Sequence, residues 1–140
     1  MANIIPTAAP PKHLDLDYKT KEIRILILLP SYFHDPISCT LSRANLEEQP
    51  QYDALSYVWG DPRICRTIYV DDSVKNVTVN LFAALRRLRA KSHTRPRRLW
   101  IDALCIDQEN NQEKSHQVSI IGSIYRTISA DISLAWRLYR

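Results

Sequence analysis

The residues able to do chemistry in this sequence fall in two short segments. Tyr52-Asp-Ala-Leu-Ser-Tyr-Val-Trp-Gly60 is largely apolar, yet Ser56 interrupts it and Asp61 follows its Trp59-Gly60 turn. The run Leu99-Trp-Ile-Asp-Ala-Leu-Cys-Ile-Asp-Gln108 is more apolar still, and it carries Asp102, Asp107 and Gln108. An unpaired buried carboxylate is costly, so such groups are paired, hydrogen-bonded or placed at a strand end. The two segments are therefore expected to be strand ends that converge on a shared polar site. Asp107 can serve as a helix N-cap acceptor. Asp102 has no such local role and needs a partner, for which Arg98, Tyr57 and the Trp59 indole are the candidates. Structural pairing is the simpler use of Asp102, and direct acid or base chemistry is the alternative. Trp59 and Trp100 read as packing residues whose N–H groups are satisfied.

Other chemistries find less in the sequence. Cys105 could act as a nucleophile with His116 as its base, but a small residue inside Ile101–Ile106 reads better as core. Four histidines (His13, His34, His93, His116) and three cysteines (Cys39, Cys65, Cys105) lack ligand spacing, so no metal is expected. The two glycines, Gly60 and Gly122, lie outside any phosphate-loop pattern, and no cofactor is expected. From Ser73 to Ile101 there is no acid, whereas Lys75, Arg86, Arg87, Arg89, Lys91, Arg95, Arg97 and Arg98 are basic. That stretch could meet phosphate groups. Without interleaved aromatics it reads as a solvated helix face and loop, so nucleic acid is not the expected partner.

The elements that position these residues follow from periodicity and turn signals. The Pro-rich start, Met1 to Lys21, reads as a flexible leader. Glu22 to Leu29 has the continuous apolar character of a buried strand, and a short strand is expected near Ile37 to Leu41. Tyr52 to Trp59 is a strand closed by Gly60-Asp61-Pro62. Thr67–Val70 and Val77–Val79 suggest a small hairpin with a longer loop, since no glycine is there to form a tight turn. Asn80 is the expected N-cap of a helix over Leu81–Arg89, with Leu81, Leu85 and Leu88 on one face and arginines opposite. Arg98–Ile106 is the second informative strand. Asp107 or Asn110 then caps a long helix, with Glu113 at the capping-box position and Val118, Ile121, Ile124, Tyr125 and Ile128 as its apolar stripe. Asp131–Trp136 reads as a last strand. This alternation predicts an α/β fold whose central sheet is largely parallel and flanked by helices.

The chain's 140 residues suit one domain, and 45% hydrophobic against 24% charged residues argues against global disorder. No apolar run reaches the roughly 18 to 20 residues that span a bilayer. Met1 to Pro11 has no charged n-region before an apolar core, so a secretory signal is not expected. An odd number of cysteines without CxxC spacing favours reduced thiols in the cytosol or nucleus over a disulfide framework.

Taken in order, the blocks resemble a known family. Tyr52 to Asp61 resembles the opening signature of the fungal heterokaryon-incompatibility (HET) domain. Asn80-Leu81, Ala84-Leu85 and Leu88-Arg89 resemble its next block, and Leu99 to Gln108 its most diagnostic motif. Glu113, Gln117-Val118 and Ile124-Tyr125 are similar to its trailing helix. The resemblance makes Ser56, Asp61, Asp102, Asp107, Gln108, Glu113 and Gln117 the family-motif polar residues. Tyr52, Tyr57, Trp59, Gly60, Trp100, Cys105 and Tyr125 become its packing residues. It implies a flexible leader over 1–21 and one partial domain over 22–140, with the core signature at 52–136.

It further implies a cytoplasmic effector or signalling module in non-self recognition and programmed cell death, acting by self-assembly or with a sensor protein. The family is held to be distantly similar to Toll/interleukin-receptor (TIR) domains, which implies a TIR-like parallel sheet with a small hairpin insertion. Some TIR domains cleave NAD with a glutamate on a helix beyond the third strand. This chain ends near that strand, so that activity is not expected of it. The family's usual Trp-Leu-Gly-like turn after the last strand is replaced by Arg137-Leu-Tyr-Arg140, which reads as truncation.

Overall fold

The computed structural model describes residues 15–55, 60–90 and 94–125. Ser56, Tyr57, Trp59, Ile128 and the expected strand at Asp131–Trp136 lie outside the described residues. The sheet is built from β1 (Glu22–Leu28), β2 (Ser38–Asn45), β3 (Asp53–Ala54), β4 (Cys65–Val70), β5 (Ser73–Thr78) and β6 (Arg97–Trp100). The helices are α1 (Val79–Ala90), the single turn α2 (Asp102–Cys105), α3 (Asn111–Ser119) and α4 (Ile121–Tyr125).

The strand order is β3-β6-β1-β2-β4-β5. β1 pairs antiparallel with β2 and β6, and β4 pairs antiparallel with β5. Among the described strands, only β3 with β6 and a two-residue stretch of β2 with β4 are parallel. The fold is thus α/β as expected, but the sheet is mixed rather than largely parallel. The reason lies in the connections. β1 and β2 are joined by a short loop and β4 and β5 by a tight turn, and short links permit only antiparallel neighbours.

β1 forms the middle of the sheet because its apolar run is buried on both faces, with Ile23, Ile25, Leu26 and Leu28 all enclosed. The described part of the expected leader packs on the domain. Leu16 is buried, and the Asp15 carbonyl accepts a hydrogen bond from Arg43 at 3.2 Å.

Four local expectations change. The hairpin turn is two residues long, with Asp71 and Asp72 at φ 50° and 65°. Aspartate tolerates the left-handed region, so the tight turn needs no glycine. The Asp71 carboxylate also accepts from the Leu41 N–H at 3.3 Å. Helix α1 begins one turn edge earlier than expected, with the Thr78 hydroxyl rather than Asn80 accepting from the Leu81 N–H at 3.3 Å. Leu81, Leu85 and Leu88 are buried as expected, but Arg89 is buried with them.

The second informative segment is a strand only through Trp100, and Asp102 to Cys105 turn into α2. Asp102 therefore does not share a strand face with Leu104. Finally, the long helix is broken at Ile120, and the expected stripe holds at Ile124, which is buried, but not before it. Val118 and Ile121 are exposed, while α3 buries Glu113 and Gln117.

Candidate functional site

The two motif segments meet as neighbours. β3 lies parallel to β6, with Asp53 opposite Leu99 and Ala54 opposite Trp100. The Leu55 N–H donates to the Trp100 carbonyl at 2.8 Å. Past Trp100 the backbone stays extended at Ile101 and then closes one helical turn, in which the Ile106 N–H reaches the Asp102 carbonyl at 3.3 Å. So short a helix gains little from its own hydrogen bonds. Gln108 supplements them: its Nε2 donates to the carbonyls of Asp102 at 2.8 Å and Ile106 at 3.2 Å.

The next turn is built by Asp107 and Asn110. The Asp107 Oδ1 accepts from the Glu109 N–H at 3.1 Å, and Asn110 caps α3 by accepting from the Glu113 N–H at 3.1 Å. Glu113 does not complete a reciprocal capping box, because the Asn110 N–H bonds the Asp107 carbonyl at 3.1 Å. Its carboxylate instead turns inward and accepts from the Asp107 N–H and from both terminal nitrogens of Arg24.

Arg24 is the residue that sequence reasoning missed. Its Nη1 donates to Glu113 Oε2 at 2.7 Å and to the Cys105 carbonyl at 3.0 Å, and its Nη2 donates to Glu113 Oε1 at 2.5 Å. Both side chains are almost wholly enclosed, at 1% and 2% exposure. The fork geometry suits arginine, and each buried charge is both neutralised and hydrogen-bonded. One signal was available in the sequence, namely a charged residue in the middle of the apolar run EIRILIL. Its partner lies 89 residues downstream, so nothing local identified it.

The remaining motif residues surround this pair. The Gln117 Nε2 donates to the Glu22 carbonyl at 3.1 Å, so α3 grips β1 at two points one helical turn apart. The Tyr52 hydroxyl donates to the Ile124 carbonyl at 2.5 Å, and the Tyr125 ring stands edge-on to Trp100 with centroids 5.6 Å apart. The Trp100 indole N–H is buried without an acceptor among the described residues, against the expectation that it would be satisfied.

Asp102 is half-buried beside Tyr125. Burial holds its carboxyl above the usual range, opposed only by the Ala103 N–H. Burial, and then the Asp102 charge, raise the Tyr125 phenol as well. Arg98, a candidate partner for Asp102, instead donates to the Gln51 carbonyl at 2.8 Å. Gly60 and Asp61 serve a separate corner. Gly60 has φ 74°, and a side chain there would meet Asn80 Nδ2 at 2.7 Å. Asp61 is paired with Arg63 at 3.0 Å.

Reactivity is low at the cysteine. Cys105 is fully enclosed, and burial pushes its thiol up to about 12, so it carries no thiolate at neutral pH. The basic stretch is also engaged. Arg97 pairs with Asp53 at 3.4 Å, and Arg89 is buried with its two terminal nitrogens on backbone carbonyls, while its Nε has no acceptor among the described residues. Among the described residues no group of histidine, cysteine and carboxylate side chains could hold a metal ion, and no helix is long and apolar enough to cross a membrane.

The family model described as heterokaryon incompatibility protein (HET) matches residues 52–137. Over 115 residues the chain is 39% identical to heterokaryon incompatibility protein 6, OR allele, of Neurospora crassa. That match takes in 74% of this chain and 17% of the relative, so the chain spans less than a fifth of that protein's length. No solved structure matches.

Proposed function

The chain belongs to the heterokaryon incompatibility (HET) family, and from that premise we propose that it is a module of fungal non-self recognition. In this reading it acts in the cytoplasm as a signalling or effector element whose output is programmed cell death. It works through protein contacts, with copies of itself or with a sensor protein.

One observation carries the reading. The described polar residues Asp107, Gln108, Glu113 and Gln117 all bond the chain's own backbone through their side chains, the carboxylates accepting and the amides donating. A motif used this way builds and stiffens a shape, as a recognition surface requires, and the same residues are its anchors. The TIR-like and NAD-cleaving readings have nothing in the mixed sheet that favours them. A nucleic-acid module is not favoured by arginines engaged with Asp53 and with backbone carbonyls.

The test is induced expression in a fungal host with colony counts as the readout. The expected result is loss of viability, abolished by Glu113→Ala and retained by Asp102→Asn. Normal growth of the host, or loss of killing in a folded Asp102→Asn protein, would overturn the reading.

A further inference from the structure

The loop from Ser31 to Pro36 is held in one shape from inside and from outside. Buried Arg89 donates to the carbonyls of Tyr32, Phe33, Asp35 and Pro36. The Asp35 carboxylate closes the loop on itself, accepting from the Ser31 hydroxyl and from the Tyr32 N–H at 3.1 Å. Yet aromatic surface stays open there, with Phe33 50% exposed and Tyr69 of β4 40% exposed.

Beside these rings lies a groove of about 400 Å³, whose walls include Phe33, His34, Asp35, Tyr69, Phe82 and Arg86. Small-ligand sites span roughly 300–1,000 Å³ and combine apolar walls with a few polar groups. None of these six residues belongs to the motif blocks.

The charges in and behind the groove do not balance. Arg86 is half-buried, with its Nε donating to the Phe33 carbonyl at 3.1 Å and its Nη2 3.5 Å from His34 Nδ1. Both contacts are to groove residues and neither is to an acid. The Arg86 charge repels that of Arg89 behind it. Asp35 is the one acid among the described lining residues, and its carboxylate is occupied by Ser31 and Tyr32.

Three donors are left over. A guanidinium can only donate, so His34 Nδ1 accepts from Arg86 and the ring hydrogen sits on Nε2. That nitrogen, Arg86 Nη1 and the Tyr69 hydroxyl have no partner among the described residues.

We propose that this groove binds an aromatic phosphomonoester. The three donors serve the three terminal oxygens of the phosphate group, and Arg86 supplies the counter-charge. The ring seats against Tyr69 and Phe82, because Arg86 already covers the Phe33 ring at 3.7 Å. Arg89 fixes the loop beforehand, so binding loses little to ordering it. This site goes beyond the reading of the module as an effector and does not depend on it.

The probe is phenyl phosphate, titrated into the full chain and followed by backbone amide shifts. The expected result is saturable perturbation at 33–36, 67–69 and 82–86. Inorganic phosphate lacks the ring and benzoate offers two oxygens in place of three, so each should bind about tenfold more weakly or worse. Arg86→Met should abolish binding. Because Arg86 also touches the loop, Tyr69→Phe is the second variant. It removes one hydroxyl from an exposed strand position and should weaken binding about fivefold with Tm unchanged.

No binding at millimolar phenyl phosphate would overturn the site. So would equal binding of inorganic phosphate or of benzoate, or unchanged affinity in Tyr69→Phe. A blocked tripeptide with phosphotyrosine at its centre separates the two sources of this chemistry. Binding at least as tight as phenyl phosphate assigns the ligand to a protein side chain and weaker binding assigns it to a free molecule, and either supports the site.

Discussion

Two guanidinium groups are buried to the same degree in this molecule and are handled in opposite ways. Arg24 and Arg89 are each 1% exposed. Arg24 faces a carboxylate, the fork of Glu113, and is electrically neutralised. Arg89 faces backbone dipoles. Its Nη1 donates to the Pro36 carbonyl at 2.8 Å, and its Nη2 donates to the carbonyls of Tyr32, Phe33 and Asp35 at 2.8, 3.1 and 3.0 Å. Burial pulls the Arg89 side chain below the usual arginine value, and Asp35 pulls it back only partly.

The difference lies in what each arginine organises. Arg24 ties β1 to the motif turn and to α3, all enclosed, so its partners have no water to fall back on. Arg89 gathers one loop on which Tyr32, Phe33, Asp35 and Pro36 are exposed, and those carbonyls can turn to solvent if it is removed. Arg86 supports the same loop by lying over the Phe33 ring at 3.7 Å.

Removing one partner of the buried pair should therefore produce the largest effect. Glu113→Ala removes the carboxylate that neutralises the buried Arg24 charge, and it should cost about 3–5 kcal/mol in urea unfolding. The double variant Arg24→Met with Glu113→Leu should regain much of that loss, because the uncompensated charge is gone. It should not regain all of it, since the Asp107 N–H loses its bond to Glu113 and the Cys105 carbonyl its bond to Arg24. A double variant as unstable as Glu113→Ala would show that the pair is more than a neutralised charge. Arg89→Met should cost about 2 kcal/mol, less than Glu113→Ala, with faster amide exchange confined to 31–37. Equal costs for the two would erase the distinction between a neutralised and a dipole-held arginine.

The cysteines report on the two regions separately. Cys39 and Cys105 are buried, and burial pushes both thiols up to about 12, while Cys65 is exposed. Native protein should react quickly at Cys65 alone with an aromatic disulfide reagent. The Cys105 carbonyl is bonded to Arg24, whereas Cys39 feels the charge of Arg89. Glu113→Ala should thus speed labelling of Cys105 first, and Arg89→Met that of Cys39. Matching increases at both cysteines in both variants would indicate a single cooperative unit.

The smallest effect belongs to the half-buried acid that lacks a cationic partner among the described residues. Burial holds Asp102 above its ordinary 3.8, so the folded state disfavours its anion. The associated stability is full below that unfolded value and lost as pH rises through the higher folded value. Asp102→Asn should accordingly raise Tm at pH 7 and leave it unchanged near pH 3. A lowered Tm at pH 7 would show that the carboxylate has a partner that stabilises it.

Much of the local structure was legible in the sequence. The buried strand at Ile23–Leu28, the Leu81–Leu85–Leu88 face and the Asn110 cap follow from apolar runs, helical spacing and short polar side chains. The pairing of the two motif segments was anticipated because polar residues inside apolar runs call for a common partner region. Periodicity held at Ile124 in α4 but misjudged α3 and its junction, since Val118 and Ile121 fit the apolar stripe but are exposed. A long-range ion pair outweighed the pattern and turned Glu113 and Gln117 inward.

The sequence by itself determined which segments are apolar, where turns and caps interrupt them, and which ordered blocks mark the HET family. Those properties depend on neighbours within a few residues. Tertiary structure alone decided the mixed strand order, the inward face of α3 and the partners of the two buried arginines. Each is a contact between residues far apart in the chain, and a charge is tolerated inside only when the assembled fold brings it a partner.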